Sequence, residues 1–413
     1  LFDSPAGRAC SDGNVCTTGD TCDGNGRCLP GTATPGVACN DLDRLTYDDA
    51  CVAALCQGRP LPFEVRVFDS LTKMRRDEQF TTDRNAISAT LTAARNEFEA
   101  FQIAIRPKTP LSPVTIALSP LGSSATGTTI PVDVYREEFF DTSAFRSSYD
   151  AVAGAWPDWL VPGTVEADGV TRASTLQSVL GQNGIAYLEA FVPDGAPAVT
   201  YTAEVAVRWT EAGAAKGASF PVQLTVRPFA IPQTSTLRSY YRLSPDFACR
   251  PYGHDYASSP GCAPIVLQFA QMGLEHRIAV DPTRAKSAPI STDFVATYED
   301  FFNGLRRTTH YPGARLTSAR PTTAGAYPDV DPTFLPDWHA VYNTKDDWLG
   351  RSFYYVCDEP QNSGTPCPKV VTPDHPEGTA WPTVKARAEA SYRVSPQISR
   401  LVTTFPEAAK SGL

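Results

Sequence analysis

The sequence has no uninterrupted apolar run of about 18 residues, the length a membrane-crossing helix requires, so no such span is expected. Lysine and arginine form no cluster, and 36 basic residues against 45 acidic ones leave a net charge of -9 and a pI near 5.2. That balance argues against nucleic acid as a partner, because phosphates call for a basic face. Five histidines lie far apart without metal spacing, so no catalytic zinc is expected, and catalysis is expected to need no cofactor. GxSxG, P-loop and GxGxxG motifs are all missing, which removes serine hydrolase, NTPase and dinucleotide readings as defaults. Neither methionine nor a signal-like segment opens the chain at Leu1, which predicts a processed or incomplete amino terminus.

What is present points to a multidomain globular protein. The 413 residues exceed one ordinary core, and 42% hydrophobic with 20% charged residues is close to the globular average. Eleven cysteines, seven of them before residue 57, indicate an oxidising compartment, hence an extracellular or cell-surface location. Residues 1–60 read as a cysteine-rich module of two repeats, too short to build a core and therefore held by disulfides. Cys10, Cys22 and Cys28 lie over Cys39, Cys51 and Cys56, whereas Cys16 falls on Leu45. That replacement makes the cysteine count odd and predicts one thiol without a partner. Asp12, Asn14 and Asp20 recur as Asp41, Asp43 and Asp49, hard oxygen donors suited to a structural calcium ion, although the same residue types form tight turns.

Residues 61–232 alternate short apolar runs with turn residues, as in FEVRVF, FQIAIRP and VQLTVRPF, and this period of two predicts a β-sandwich. Glu97 and Glu99 flank Phe98 and read as the wet face of one strand. WPDWLVP, with Trp156 and Trp159, either stacks on a sugar or plugs a loop into a core.

From residue 233 the period changes to strand, helix, strand. Strands are expected at 237–243, 276–280, 314–318, 353–357 and 400–405, with helices at 263–274, 293–305, 337–350 and 381–394. Repeated βα units imply a parallel sheet, and their number favours a TIM-like (β/α) barrel over residues 233–413. Only about 180 residues remain where a full barrel takes roughly 250, and five strands are countable, so the barrel is expected to be incomplete at its carboxyl end through truncation.

Barrel chemistry sits at the carboxyl ends of the strands, where SFYYVCDEP places Asp358 and Glu359 and ends the strand with Pro360. Glycosidic bonds break through an oxocarbenium-like state that needs one acid to protonate the leaving oxygen and a second carboxylate to manage positive charge. Adjacent acids suit the substrate-assisted variant, in which the sugar's 2-acetamido oxygen attacks the anomeric carbon while Asp358 orients the amide and Glu359 acts as acid and then base. An ordinary loop start would carry the same letters. His276 and Arg277 are candidates for binding substrate hydroxyls, and a structural hydrogen-bonding role is open to them as well. Tyr241 and Tyr355, with Tyr240, Arg242 and Tyr354, either line the pocket or fill the barrel. Cys249 with Cys262, and Cys357 with Cys367, are expected to close loops at strand ends, unless Cys357 is a buried free thiol.

Two resemblances add to this. The amino-terminal repeat resembles the DGNxCTxxDxC modules strung along bacterial, notably myxobacterial, surface proteins, which implies a spacer or attachment role. ARNEFEAFQIAIRP, WPDWLVP, QNGIAYLEAFVPDG, GLEHRI and FYYVCDEP together resemble glycoside hydrolase family 123-like proteins over roughly residues 61 to 405. That resemblance implies a β-sandwich followed by a barrel, hydrolysis of β-linked N-acetylgalactosaminides, Asp358 as the amide-stabilising acid and Glu359 as proton donor. The expected partner is a glycan substrate or surface polysaccharide. The alternative is a non-catalytic surface or assembly protein that uses the same fold as scaffold and the repeats for self-assembly or attachment.

Overall fold

The computed structural model describes residues 5–142, 152–255, 259–281, 299–306, 308–318, 320, 333–358, 360 and 367–403. The chain divides into two compact units, Leu1–Ile231 and Pro232–Leu413.

The first unit begins with two-residue strands that have too little side-chain surface to pack, and covalent bonds replace the missing core. Cys10 joins Cys28, Cys39 joins Cys56, and Cys16 crosses to Cys51. The unpaired thiol is Cys22. The last part of this segment, Thr46–Val52 paired with Leu55–Pro60, docks on the sandwich. Tyr47 meets Trp209 edge-on at 5.2 Å between centroids, and Phe63 meets the same indole at 5.2 Å. Polar clamps surround these rings. Arg59 grips Glu211 through two nitrogens at 2.8 and 2.9 Å, and Arg84 grips Asp43 at 2.7 and 2.8 Å.

Two sheets then stack around one apolar layer. The first runs Ala155–Pro162, Val132–Asp141, Gly184–Val192, Glu97–Pro107, Phe63–Asp69, every neighbour antiparallel. The second centres on Thr200–Glu211, flanked by Val114–Leu118 and Ala214–Ala230, with Ala89–Arg95 added in parallel to the last. Alternation explains which side chains are inside: Phe63, Val65 and Val67 are buried while Glu64 is half-buried and Arg66 exposed. Ala186, Leu188, Ala190 and Val192 do the same on another strand of that sheet. Glu97 and Glu99 depart from the expected wet face. Both are half-buried, Phe98 packs on Phe191 at 4.8 Å, and burial together with the Glu97 charge pushes the Glu99 carboxyl up. WPDWLVP is not a plug but an edge strand, with Trp159 57% exposed against Phe140.

The second unit is α/β. Helix Cys262–Glu275 leads to strand Val280–Asp281, which pairs in parallel with Tyr241–Arg242; strand Phe353–Asp358 pairs in parallel with Ser399–Thr403 after helix Trp381–Val394. Parallel partners joined by a helix are the βα arrangement expected from the change of period, and the described residues contain two such pairs. Residues 314–318 are not a strand. They are buried loop, with the Leu316 N–H bonded to Phe301 O and Arg351 donating to Leu316 O at 2.7 Å. A hairpin, Val370–Thr372 with His375–Thr379, was not anticipated, because HPEG reads as turn residues alone. The interior is aromatic: Phe302 stacks on Trp348 at 4.7 Å, and Tyr342 meets Trp338 and Trp348 edge-on.

Two outcomes follow for the first unit. Trp209→Ala removes the ring that both Tyr47 and Phe63 pack on, and is expected to lower unfolding free energy by about 3–5 kcal/mol, read from the urea midpoint. Hydrogen bonds from Arg84, Arg59 and Arg44 respectively hold Asp43, Glu211 and Glu204 below the ordinary carboxylate range. A depressed native value stabilises the fold above the unfolded value, about 4 for these groups, and that contribution is lost as pH falls through the native value. The melting temperature should therefore hold between about pH 7 and 5 and fall below about pH 4, a fall that Asp43→Asn and Glu211→Gln blunt.

Candidate functional site

Strand ends in the second unit bring together a cluster of aromatic and charged side chains. Val280–Asp281 ends in an aspartate that is 6% exposed, and the Tyr240 hydroxyl donates to its Oδ2 at 2.6 Å. The Tyr240 ring meets Phe353 edge-on at 4.9 Å. Two residues further along that strand, the Tyr355 ring carries the Arg320 guanidinium 4.7 Å from its centroid. Burial, followed by the Asp281 carboxylate, drives the Tyr240 phenol far upward, so its proton stays on the oxygen and the hydroxyl remains a donor. A carboxylate, a phenol, a guanidinium and aromatic faces within one patch provide hydrogen-bond acceptors and donors beside apolar surface, the combination that polar ring-shaped ligands need.

The strand that reaches Asp358 is held from several sides. Phe353, Tyr354 and Tyr355 pair in step with Ser399, Arg400 and Leu401; the register then slips between Tyr355 and Cys357, and Asp358 pairs with Thr403. The slip is a bulge, which re-aims the chain at a strand end. Tyr354 and Val356 are buried, Arg387 reaches Val356 O at 3.4 Å from the helix behind, and Cys357 is bonded to Cys367. The backbone of Asp358 thus lies at the carboxyl end of a parallel strand. Its side chain and all of Glu359 lie outside the described residues.

The other expected residues are distributed unevenly. Tyr355 belongs to the cluster. Tyr241 is 55% exposed, and its neighbour Tyr240 takes the inward position. His276 and Arg277 stand ahead of the second strand, the side on which the sequence also put them. They form the turn that closes helix Cys262–Glu275, at the amino end of Val280–Asp281, so they stand away from the end that carries Asp281. Arg277 has a left-handed backbone (φ 56°), donates to Pro232 O at 3.0 Å and lies 4.3 Å over the Tyr311 ring, a structural set of contacts. Cys249 and Cys262 are joined beside the start of that helix.

Sequence reasoning missed Asp281 and Arg320. The signal for Asp281 was there: RIAVDP repeats the logic of YYVCDEP, an apolar run that ends in an acid followed by proline. Arg320 had no signal, since its contact with the Tyr355 ring joins residues far apart in sequence.

Several acids of the amino-terminal segment bond backbone N–H groups. Asp20 accepts from Asp12 N at 3.2 Å and Gly31 N at 2.9 Å; Asp41 accepts from Asp43 N and Gly58 N, both at 2.8 Å; Asp49 accepts from Asp41 N at 3.0 Å. Asn14 accepts from Cys16 N and donates to Ala54 O, and Asp43 is held by Arg84. Among the described residues, the group of metal-ligand atoms that converges is Cys16, Cys39 and Cys51, within 4.8 Å of one another, and all three are in disulfides.

No protein family's profile matches the sequence, and no curated protein matches it. Among solved structures, the chain is similar to a family 123 glycoside hydrolase from Clostridium perfringens, studied for glycolipid glycan hydrolysis. The TM-score is 0.53 at 10% identity, over 83% of this chain and 64% of that one. The chain therefore spans less than two thirds of that enzyme, and at this identity the likeness is one of fold. AggA, the major subunit of aggregative adherence fimbriae type I from Escherichia coli, aligns with a TM-score of 0.18 at 9% identity, over 40% of this chain and 95% of that one. CaCohA2 from Clostridium acetobutylicum gives 0.17 at 12%, over 33% and 86%. Both lie below the level at which two folds correspond.

Tyr240→Phe leaves Asp281 buried without this donor. It is expected to cost about 1–3 kcal/mol in the unfolding of the second unit, measured by denaturant titration against Tyr241→Phe, which should cost close to nothing.

Proposed function

We propose that the protein is a secreted glycoside hydrolase-like enzyme that cleaves β-linked N-acetylhexosamine glycans, N-acetylgalactosamine among them, by a retaining, substrate-assisted route. The observation that carries this reading is the placement of Asp358 at the carboxyl end of a parallel strand, with Glu359 next in sequence and the Tyr355 and Phe353 of the same strand in the Asp281 cluster. Further support comes from the likeness of fold to a family 123 glycoside hydrolase. The five disulfides suit a protein that works in an oxidising compartment.

In this reading the second unit has the βα arrangement of a (β/α) barrel, and its strand ends bind the sugar. The acetamido oxygen of the substrate attacks the anomeric carbon as the bond to the leaving oxygen breaks, and Glu359 gives that oxygen its proton. Asp358 orients the acetamido N–H and balances the positive charge that develops on the resulting oxazolinium ring. Glu359, now a carboxylate, takes a proton from water as the water opens the ring, and the product keeps the β configuration. Asp281 and the Tyr240 hydroxyl would hold sugar hydroxyls, and Tyr355 with Arg320 would form one wall.

A second reading is an attachment or assembly protein that retains this fold as scaffold. The firm docking of the cysteine-rich segment on the sandwich through Tyr47, Arg59 and Arg84 favours it, because such a joint transmits position and not chemistry.

A panel of aryl β-glycosides separates the two. Turnover is expected for N-acetyl-β-hexosaminides and not for the matching 2-hydroxy sugars, which lack the internal nucleophile. Glu359→Gln and Asp358→Asn should each lower kcat by about 10²–10⁴-fold with the fold intact. Equal turnover of 2-hydroxy sugars would sink the assisted route, and no turnover by a folded chain would support the scaffold.

A further inference from the structure

The cysteine-rich segment contains the same bonded unit twice, and the two copies differ at one place. Cys10–Cys28 and Cys39–Cys56 close each copy with Cα separations of 6.0 and 5.9 Å. Asp12 N bonds Asp20 Oδ2 as Asp41 N bonds Asp49 Oδ2, and Asn14 N bonds Asp12 Oδ1 as Asp43 N bonds Asp41 Oδ1. Cys22 and Cys51 occupy the same station. Gly7 N donates to Cys22 O and Cys22 N to Arg8 O; Gly36 N donates to Cys51 O and Cys51 N to Val37 O, all four at 2.8 Å. An isolated bridge accompanies each, Ala9 with Thr21 and Ala38 with Ala50.

The difference is covalent. Cys51 receives a disulfide from Cys16 of the copy ahead of it, whereas Cys22 is a half-buried free thiol. The giving position follows a rule of its own. Cys16 O accepts from Thr34 N, and at the matching place Leu45 O accepts from Leu61 N, both at 2.9 Å. Cys16 links forward to the second copy, and Leu45 packs forward against the core of the sandwich. Each copy thus hands the side chain at this position to the body that follows it. Leucine stands where that body has an apolar core, and cysteine where the body is another copy with no core to offer.

We infer that Cys22 is the receiving half of an inter-module disulfide, and that its partner is the cysteine at the Cys16-type position of a further copy of this module stacked ahead of Pro5. The other polar tie between the copies, Asn14 Nδ2 to Ala54 O at 2.9 Å, has its receiving counterpart in the loop between Cys22 and Cys28. That loop and Pro5–Arg8 therefore form the docking face. Closure converts two thiols into one disulfide, and the two electrons and two protons pass to a disulfide-bearing oxidoreductase of the oxidising compartment, which leaves as a dithiol. The segment is in this account an extensible covalent ladder: the sandwich terminates it at Leu45, and Cys22 lets it grow.

The test adds a copy of residues 5–33 ahead of Pro5 in the full chain and maps disulfides by mass spectrometry after native maleimide labelling. In the parent chain, the label should fall on Cys22 alone. In the extended chain, it should move to the Cys22-type residue of the added copy, with Cys22 linked to the added Cys16-type residue. Cys22→Ser in the extended chain should expose two labelled thiols, the added Cys16-type and Cys22-type residues. Retention of Cys10–Cys28, Cys16–Cys51 and Cys39–Cys56 in the same map establishes that the array is folded. Label that stays on Cys22 in a folded extended chain would overturn the proposal, as would a Cys22–Cys22 link between two chains. If the extended chain fails to fold, the same map on protein from its own source decides: a Cys22 peptide bonded to a module of this spacing supports the ladder, and Cys22 found free or self-paired removes it.

Discussion

Trp209 is the point on which the first unit depends. It is buried in the apolar layer between the two sheets, and Phe63 from the first sandwich strand and Tyr47 from the cysteine-rich segment both pack their edges against it. A segment that cannot bury a core of its own gains one from its neighbour, at the cost of a single exposed face converted to interior. The arginine clamps at Glu211 and Asp43 add direction to this contact more than strength, since the arginines are largely exposed and their ion pairs are screened. The segment is therefore oriented by charge, held by aromatic packing and kept folded by disulfides.

The same division of labour, with different chemistry, operates in the second unit. A parallel strand needs both faces covered, and the helix Trp381–Val394 behind Phe353–Asp358 covers one with the buried Arg387 bonded to Val356 O. The other face carries Phe353 and Tyr355 toward Tyr240 and Arg320. The ladder, the bulge and the Cys357–Cys367 bridge together fix the strand, and with it the backbone of Asp358 at its carboxyl end. Polar groups at the ends of buried strands remain near water while the strand itself stays dry, which is why a carboxylate can stand there at all.

Patterns of short range were legible in the sequence. The alternation of FEVRVF announced a half-buried strand, the periodicity of Cys262–Glu275 and Trp381–Val394 announced helices, and the acid-terminated run ahead of Pro360 announced a strand end. Longer-range matters were not legible. Residues 314–318 have the letters of a strand and became a buried loop: the N–H and C=O of Leu316 are met by Phe301 and Arg351, and the Arg315 N–H by the Thr234 hydroxyl. Glu97 and Glu99 alternate correctly with Phe98, yet the Phe98–Phe191 contact sets how deeply that strand end is buried. Tyr240 and Tyr241 are indistinguishable as letters, and a rotation of one residue along the strand decides which of them meets Asp281.

By itself the sequence determined the disulfide-held character of the first segment, through its cysteines, the change from β to α/β pattern, through its hydrophobic period, and the identity of the acids at the end of Phe353–Asp358, since these are properties of composition and of neighbours along the chain. Only the tertiary structure decided that Cys16 crosses to Cys51 and leaves Cys22 unpaired, that Asp281 joins Tyr240, and that Arg277 lies over the Tyr311 ring. Each of those depends on which distant segments share a surface, and a contact of that kind is settled by packing and bond geometry in three dimensions, to which the order of residues is blind.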